Sequence, residues 1–541
     1  MKRLFIVLAI LVLCTIVAIS CAPATQAPPA TKPTTTPASP AVTPATPAKP
    51  SEPTPQYGGV LKRLSAFLPG TSIGLPWEAL GASRGDTCPA LEGLILNDVH
   101  NKITYKLATG FEVAPDKMSI KINLRKGVKF HDGTDFNATA AKWAMDQWIN
   151  AKKAPQWKSV EIIDDYTIRL NLTNWENSVI LGLNTRIFIS PAAYEKNGVD
   201  WARWNPVGTG PFKFAGFVRD TSLKVTKFDG YWNKGLPYLD GIEFIYIADR
   251  MTMTASFKAG QGHSMRMGTL QTVAQLRDQG YEVITTLSVG ATKAPLALFP
   301  DSKNPDSPYS KVKVREAVEY AIDKEGIVQA RGFGFWAPSY QFPIKNTDYY
   351  IPSLPERRYN PAKAKQLLTE AGYPNGFKTR IVANPGLVDQ DAVVAIQSQL
   401  KAVGIDTDVE LSDAAKFAVY QQKGWSNALL VSNASGGSPN FASGLKTGLS
   451  KYASTCYSVL IPDAYQIALD ECLTTLEIDK AKTQSLVKML YDDVTLIPLY
   501  YNFEGDPMVK GIHNLGSEII PGDPIGWTPD ICWMEKSAWI P

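Results

Sequence analysis

The sequence predicts an α/β protein of several domains, and three observations predict it. The chain has 541 residues, 45% hydrophobic and 20% charged, which is too long for one core and too apolar for a disordered chain. Short segments alternate apolar and polar residues with the period of a half-buried strand, and longer ones repeat apolar residues with the period of a helix. From Val314 to Leu411 the two kinds follow one another as helix, strand, helix, strand, which points to a lobe built on a mixed or parallel sheet.

The elements justify themselves in order. S-I-K-I-N-L (Ser119 to Leu124) and T-I-R-L-N-L (Thr167 to Leu172) put every second residue on one apolar face, as a strand with one buried face requires. Asn360 and Pro361 stand as N-cap and first residue of a helix through Lys363 to Ala371, and Gly372 ends it. In the next helix Val393, Ile396, Leu400 and Val403 recur at steps of three and four, Gly404 closes it, and I-D-T-D-V-E-L follows as a strand.

The N-terminus reads as an address. Lys2 and Arg3 precede an apolar run from Leu4 to Ile19, the pattern of a secretory signal over residues 1–20. The run falls short of the roughly 20 apolar residues that span a bilayer. It ends in V-A-I-S-C, which resembles the lipobox of bacterial lipoproteins, with Ala18 where leucine is usual. That resemblance implies cleavage before Cys21 and lipidation of Cys21, a membrane anchor. Residues 21–56 form a tether: from Ala22 to Pro55, Pro fills eleven of 34 positions among Ala, Thr and Ser. Such a segment buries no core and extends at about 3.1 Å per residue, roughly 100 Å in all.

Beyond the tether, about 490 residues at about 150 per domain suggest three domains. The formal charge of +4 becomes +2 once Lys2 and Arg3 are removed. That leaves no concentrated basic face for nucleic acid. Four His in the whole chain argue against a multi-histidine metal site, and no cofactor motif emerges. Without a Gly-Lys dipeptide there is no phosphate-cradling G-x-x-x-x-G-K-[ST] loop, and neither H-E-x-x-H nor G-x-S-x-G occurs. Gly332 to Ala337 fits G-x-G-x-x-A but follows a helix instead of a strand. The S-x-x-K matches at Ser398 and Ser485 lie in amphipathic helices as ordinary surface residues, and His131 beside Asp132 sits in a Gly-containing turn. None of these motifs supplies a catalytic signature. With Cys14 removed and Cys21 lipidated, Cys88, Cys456, Cys472 and Cys532 remain; their even number permits two disulfides in three connectivities, or four buried free thiols.

One long stretch carries a family resemblance. L-A-T-G-F-E-V-A-P-D-K-M-S-I-K-I-N-L-R-K-G-V-K-F-H-D-G-T-D-F-N-A-T-A-A-K-W-A-M (Leu107 to Met145) resembles the signature of the family 5 bacterial solute-binding proteins, the peptide-, nickel- and oligosaccharide-binding components of ABC importers. P-V-G-T-G-P-F-K-F (Pro206 to Phe214), F-D-G-Y-W-N-K-G-L-P-Y-L-D-G-I (Phe228 to Ile242), V-R-E-A-V-E-Y-A-I-D-K (Val314 to Lys324), Y-N-P-A-K-A-K-Q-L-L-T-E-A-G-Y-P-N-G-F (Tyr359 to Phe377) and L-I-P-L-Y (Leu496 to Tyr500) resemble later blocks. The resemblance covers the body from Tyr57 onward. It implies an α/β, two-lobed type II periplasmic-binding-protein fold with an extra subdomain in the first lobe. By that analogy residues 57–91, 205–287 and 495–541 form the first lobe, 92–204 the extra subdomain and 288–494 the second lobe, with crossings near Ser288 to Phe299 and Leu496 to Tyr501 as the hinge. The partition pairs Cys88 with Cys532 and Cys456 with Cys472, if bridges form. It also implies a monomer on the outer face of the cytoplasmic membrane, at the cell surface or in the periplasm. A peptide or small-molecule ligand would pass to permease subunits served by a separate ATPase.

The ligand-binding residues follow from the same resemblance. Peptide-binding members carry a Gly-Trp-x-Ala-Asp-Tyr-like stretch whose carboxylate pairs with the peptide ammonium. Here Gly424 to Phe441 reads G-W-S-N-A-L-L-V-S-N-A-S-G-G-S-P-N-F, with Ser435 in the Asp position, Ser432 in the Trp position and no acid anywhere. A buried ammonium without its anion is disfavoured by about 3 to 5 kcal/mol, so capture of a free peptide N-terminus in the usual way is not expected. Tyr420, Gln421, Ser432, Asn433, Ser435 and Asn440 suit a neutral, hydroxyl-rich ligand such as an oligosaccharide. Trp77 and Trp425 offer stacking faces, and Tyr500 of L-I-P-L-Y completes the set. No histidine falls in these segments, so nickel would arrive only within a chelate.

Overall fold

The computed structural model describes residues 54–70, 72–78, 86–87, 89–97, 102–266, 268–285, 295–345, 347–434, 440–515 and 529–538. The signal, Cys21, nearly all of the tether, Cys88 and Ser435 lie outside them. Residues from Pro55 onward form one compact unit. Among the described residues no helix is long and apolar enough to cross a membrane.

Two large sheets organise the unit. The first has seven strands in the order Glu282–Thr285, Gly505–Met508, Ser264–Arg266, Val60–Ser65, Gly241–Tyr246, Ser222–Lys227 and Phe212–Val218. Val60–Ser65 runs parallel to both Gly241–Tyr246 and Ser264–Arg266. Its Leu61 packs on one face with Phe212, Ile242 and Phe244, while Leu64 packs on the other with Met253 and Phe257. The alternation of a strand with both faces covered explains this division.

The second sheet has six strands in the order Trp336–Pro338, Ile497–Asn502, Leu296–Pro300, Ala428–Asn433, Phe377–Ala383 and Ile405–Leu411. Phe377–Ala383 is parallel to its two neighbours, and Leu296–Pro300 is antiparallel to both of its own. Helix signals read from the sequence hold here: Asn360 accepts from the Lys363 N–H at 2.9 Å to cap Pro361–Glu370, and Val393, Ile396 and Leu400 are the buried stripe of Gln390–Ala402. Gly404 has φ +99°, and a Cβ on Gly376 would sit 1.8 Å from its carbonyl oxygen. Both turns therefore need glycine.

A four-stranded antiparallel sheet, Ala108–Val113, Ser119–Leu124, Thr167–Leu172 and Trp157–Asp164, builds the extra subdomain. Ile120, Ile122, Leu124, Ile168, Leu170 and Leu172 form its inner face and pack against the Ala138–Asn150 helix.

One expectation needs correction. Ile497–Asn502 lies inside the second sheet, bonded to Leu296–Pro300 on one side and Trp336–Pro338 on the other. The expected first-lobe range 495–541 therefore starts too early; the chain returns to the first sheet only with Gly505–Met508. Of the four cysteines, Cys456, Cys472 and Cys532 are free, buried thiols, the alternative the sequence left open beside the two bridges, and Cys88 lies outside the described residues. Cys456 and Cys472 instead fill the apolar cluster around Tyr465, Leu469 and Leu473 as small hydrophobes.

Candidate functional site

The chain passes between the two sheets twice, from Thr285 to Leu296 and from Asn502 to Gly505. In the second sheet the edge nearest these crossings is marked by Leu296, which pairs with Asn433 on one side and Tyr500 on the other. Ser432 and Asn433 end their strand there. The Ser432 side chain is buried and its Oγ lies 3.5 Å from Gln421 Nε2, whereas Asn433 is exposed. Asn440, 4% exposed, follows closely. Its Oδ1 caps Phe441–Gly448 by accepting from the Ser443 N–H at 3.1 Å, and its Nδ2 donates to Asn177 Oδ1 at 2.7 Å. Tyr500 is buried, and its ring stacks on Trp336 at 4.5 Å and 9°; burial pushes its phenol well above the usual range.

Not every residue singled out from sequence falls at this edge. Tyr420 and Trp425 line a cavity of about 480 Å³ with Asp301, Lys303, Arg380 and Tyr457, at the opposite end of the sheet where Pro300 pairs with Leu429. At about 3.3 Å per residue that end is roughly 13 Å away. The Tyr420 hydroxyl donates to Glu410 Oε1 at 2.8 Å, and Trp425, 4% exposed, is held in the apolar core. Trp77 meets Trp143 and Trp148 edge-on at 6.2 and 6.3 Å, a packing position at the subdomain. The structure thus gathers Gln421, Ser432, Asn433 and Tyr500 on the second lobe's crossing side, sets Asn440 against Asn177 of the subdomain, and separates Tyr420, Trp425 and Trp77 from them.

Two cavities are each lined by segments from more than one part of the body. One, about 540 Å³, is lined by Arg250, Thr269 and Gln271 from the first lobe and by Arg331, Trp336 and Asp389 from the second. Arg331 is held by Asp389 through 3.0 and 2.8 Å bonds and by Asp391 at 2.9 Å, which raises its pKa further, first through the hydrogen bond to Asp389. The other, about 630 Å³, lies between subdomain and second lobe, with Trp175, Asn177, Ile180, Tyr349, Asn440 and Ile478 among its walls. Sequence reasoning missed Arg331, Trp336, Asp389, Trp175 and Asn177. The only signal near them was the G-F-G-F-W-A run, which carries Trp336.

Among the described residues no three His, Cys, Asp or Glu side chains converge to hold a metal. Burial pushes the thiols up, Cys456 and Cys472 to about 11 and Cys532 to about 12, far from an activated nucleophile. His131 sits in its turn as a hydrogen-bonded structural residue: Nδ1 accepts from the Gly208 N–H at 3.3 Å and Nε2 lies 3.0 Å from the Gly210 carbonyl.

Two lobes of mixed α/β structure, joined by two crossings and carrying an extra antiparallel subdomain, define the type II periplasmic-binding-protein class. Residues 102–455 match the family model "Bacterial extracellular solute-binding proteins, family 5 Middle", and the chain belongs to that family. It is 31% identical over 337 residues to the glutathione-binding protein GsiB of Pectobacterium atrosepticum, covering 60% of this chain and 64% of that one. The chain thus spans less than two thirds of that relative's length. Among solved structures it is similar to the periplasmic binding protein DppA of Helicobacter pylori in complex with peptide STSA, with TM-score 0.69, 22% identity, and 89% and 99% of the two chains covered. NikA from Brucella suis in complex with Fe(III)-EDTA gives TM-score 0.74, 19% identity and coverage of 87% and 100%.

Proposed function

We propose that this protein is the substrate-binding lipoprotein of an ABC importer. It captures an extracytoplasmic solute between its lobes, closes over it, and delivers it to permease subunits driven by a separate ATPase. The observation that carries the reading is the cavity lined from both lobes, by Arg250, Thr269 and Gln271 on one side and by Arg331, Trp336 and Asp389 on the other. A solute touching both walls favours the closed form and shifts the population toward it. Anchoring through Cys21 and the tether would hold the clamp on the outer face of the cytoplasmic membrane.

The ligand class proposed first is peptide-like, supported by the glutathione-binding relative and the peptide-bound neighbour. Its amino group would be taken without a carboxylate from the Gly424 to Phe441 segment, which contains none. That same segment favours a second reading, a neutral hydroxyl-rich solute such as an oligosaccharide, held by Ser432, Asn433 and Asn440. A metal would enter only inside a chelate, as the Fe(III)-EDTA neighbour illustrates.

A thermal-shift panel tests the reading with di- to pentapeptides, their N-acetylated forms, glutathione, oligosaccharides and metal chelates. A ligand at 100 times its Kd stabilises the folded state by about 2.7 kcal/mol, an upward shift easily read. Peptides that shift the protein equally with and without the N-acetyl group fit the missing acid. Shifts abolished by acetylation would refute that part, and silence from the whole panel would refute solute capture.

A further inference from the structure

The Asp463–Thr474 helix of the second lobe ends without a capping bond from its own backbone. The last carbonyls of any helix lack intrahelical partners and must find donors elsewhere. Here four consecutive ones find them in the extra subdomain. The Cys472 carbonyl accepts from Asn177 Nδ2 at 2.8 Å, and Leu473 accepts from the Asn177 backbone N–H at 2.8 Å. Thr474 accepts from Lys117 Nζ at 2.9 Å and Thr475 from Trp175 Nε1 at 3.1 Å.

Asn177 is central to this contact. It precedes the Ser178–Thr185 helix as its N-cap, yet its side chain makes no capping bond there, although capping is the usual role of Asn at this position. Both its donors and its acceptor turn across the interface: Nδ2 also reaches Thr475 Oγ1 at 3.1 Å, and Oδ1 accepts from Asn440 Nδ2 at 2.7 Å. Glu176 beside it pairs with Lys446 of the second lobe. Lys117 also brings a positive charge to the negative end of the helix dipole. Asn177 and Asn440 are 6% and 4% exposed, so these bonds are made away from water, where an unmade partner is costly.

We propose that this contact is a latch: closing the clamp completes the C-terminal cap of the Asp463–Thr474 helix from the subdomain, so the closed form is held by protein contacts even before a solute binds. The latch sits beside the 630 Å³ cavity that shares Trp175, Asn177 and Asn440 and would set how long a captured solute stays. It rests on the clamp reading above.

Hydrogen exchange followed by mass spectrometry tests it on the full chain, unfolded and refolded to strip any cargo, with no solute added. The reporter is the Asn177 amide, whose acceptor lies across the interface. In the wild type the segment around Asn177 is expected to exchange at least about a hundredfold more slowly than an exposed loop. In the double variant Lys117→Met with Asn440→Ala it should exchange at least about tenfold faster than in the wild type, while Gln390–Ala402 stays protected. If that helix also loses protection, the variant is misfolded and Trp175→Phe, which removes a single donor, decides by the same readout. Free exchange at Asn177 in the stripped wild type, or protection unchanged in folded variants, overturns the latch. Since no solute enters this experiment, its failure is distinct from silence in the thermal-shift panel, which bears on solute capture alone.

Discussion

Acidification should destabilise this protein through one histidine. His131 is partly buried, and burial lowers its pKa from 6.5 to about 4, against weaker upward pulls from the Gly210 carbonyl and Asp132. The geometry agrees, since Nδ1 accepts a backbone N–H and has no room for a proton of its own. The unfolded chain therefore binds a proton that the folded one refuses between about pH 6.5 and 4, and stability rises with pH in that window. The contribution is fully present above pH 6.5 and is lost as pH falls toward 4. With these two values the loss between pH 8 and pH 5 is about 2 kcal/mol, approaching about 3.4 kcal/mol at lower pH. Urea denaturation at both pH values, on wild type and His131→Asn, isolates it from other titrations. The wild type should lose about 2 kcal/mol more than the variant on going to pH 5. Equal losses in the two proteins would refute the assignment.

Other outcomes follow from the same structure. Lys324, fully buried, donates to Glu319 at 2.9 Å and to the Ser339 carbonyl at 2.9 Å; Lys324→Ala should cost about 3 kcal/mol by leaving a buried carboxylate short of a partner, and a loss below about 1 kcal/mol by urea denaturation would contradict this. Reductant should leave the thermal midpoint unchanged, and an unreduced peptide map should show Cys456 and Cys472 unlinked; finding them joined would overturn the free-thiol assignment. Trp425→Phe should keep the ligand-induced thermal shift while Asn433→Leu diminishes it, because only Asn433 lies at the crossing edge; the reverse pattern would move the site to the far end of the sheet.

Local rules made the elements legible. The caps at Asn360 and Gly404, the stripe of Val393, Ile396 and Leu400, and the alternation in Ser119–Leu124 all depend on residues close in sequence, and the structure repeats them. The site was harder to read because its walls come from distant segments. Asn177 meets Cys472 across 295 residues, and Arg331 meets Asp389 across 58; no motif or spacing announces such pairs. Trp425 shows the opposite failure. Its place in the Gly424 to Phe441 segment suggested a stacking face, yet it stands three residues before Ala428, the strand's far end, where the core absorbs it. Ile497–Asn502 was misassigned because an apolar strand reads the same in either sheet, and only its pairing partners decide which lobe it joins.

Native mass spectrometry of the chain purified without unfolding asks most directly whether this clamp captures a solute. The expected result is a folded species carrying a discrete added mass of a small polar molecule, released on denaturation and restored when that molecule is added back. A species at bare protein mass that takes up no peptide, oligosaccharide or chelate added in excess would contradict it.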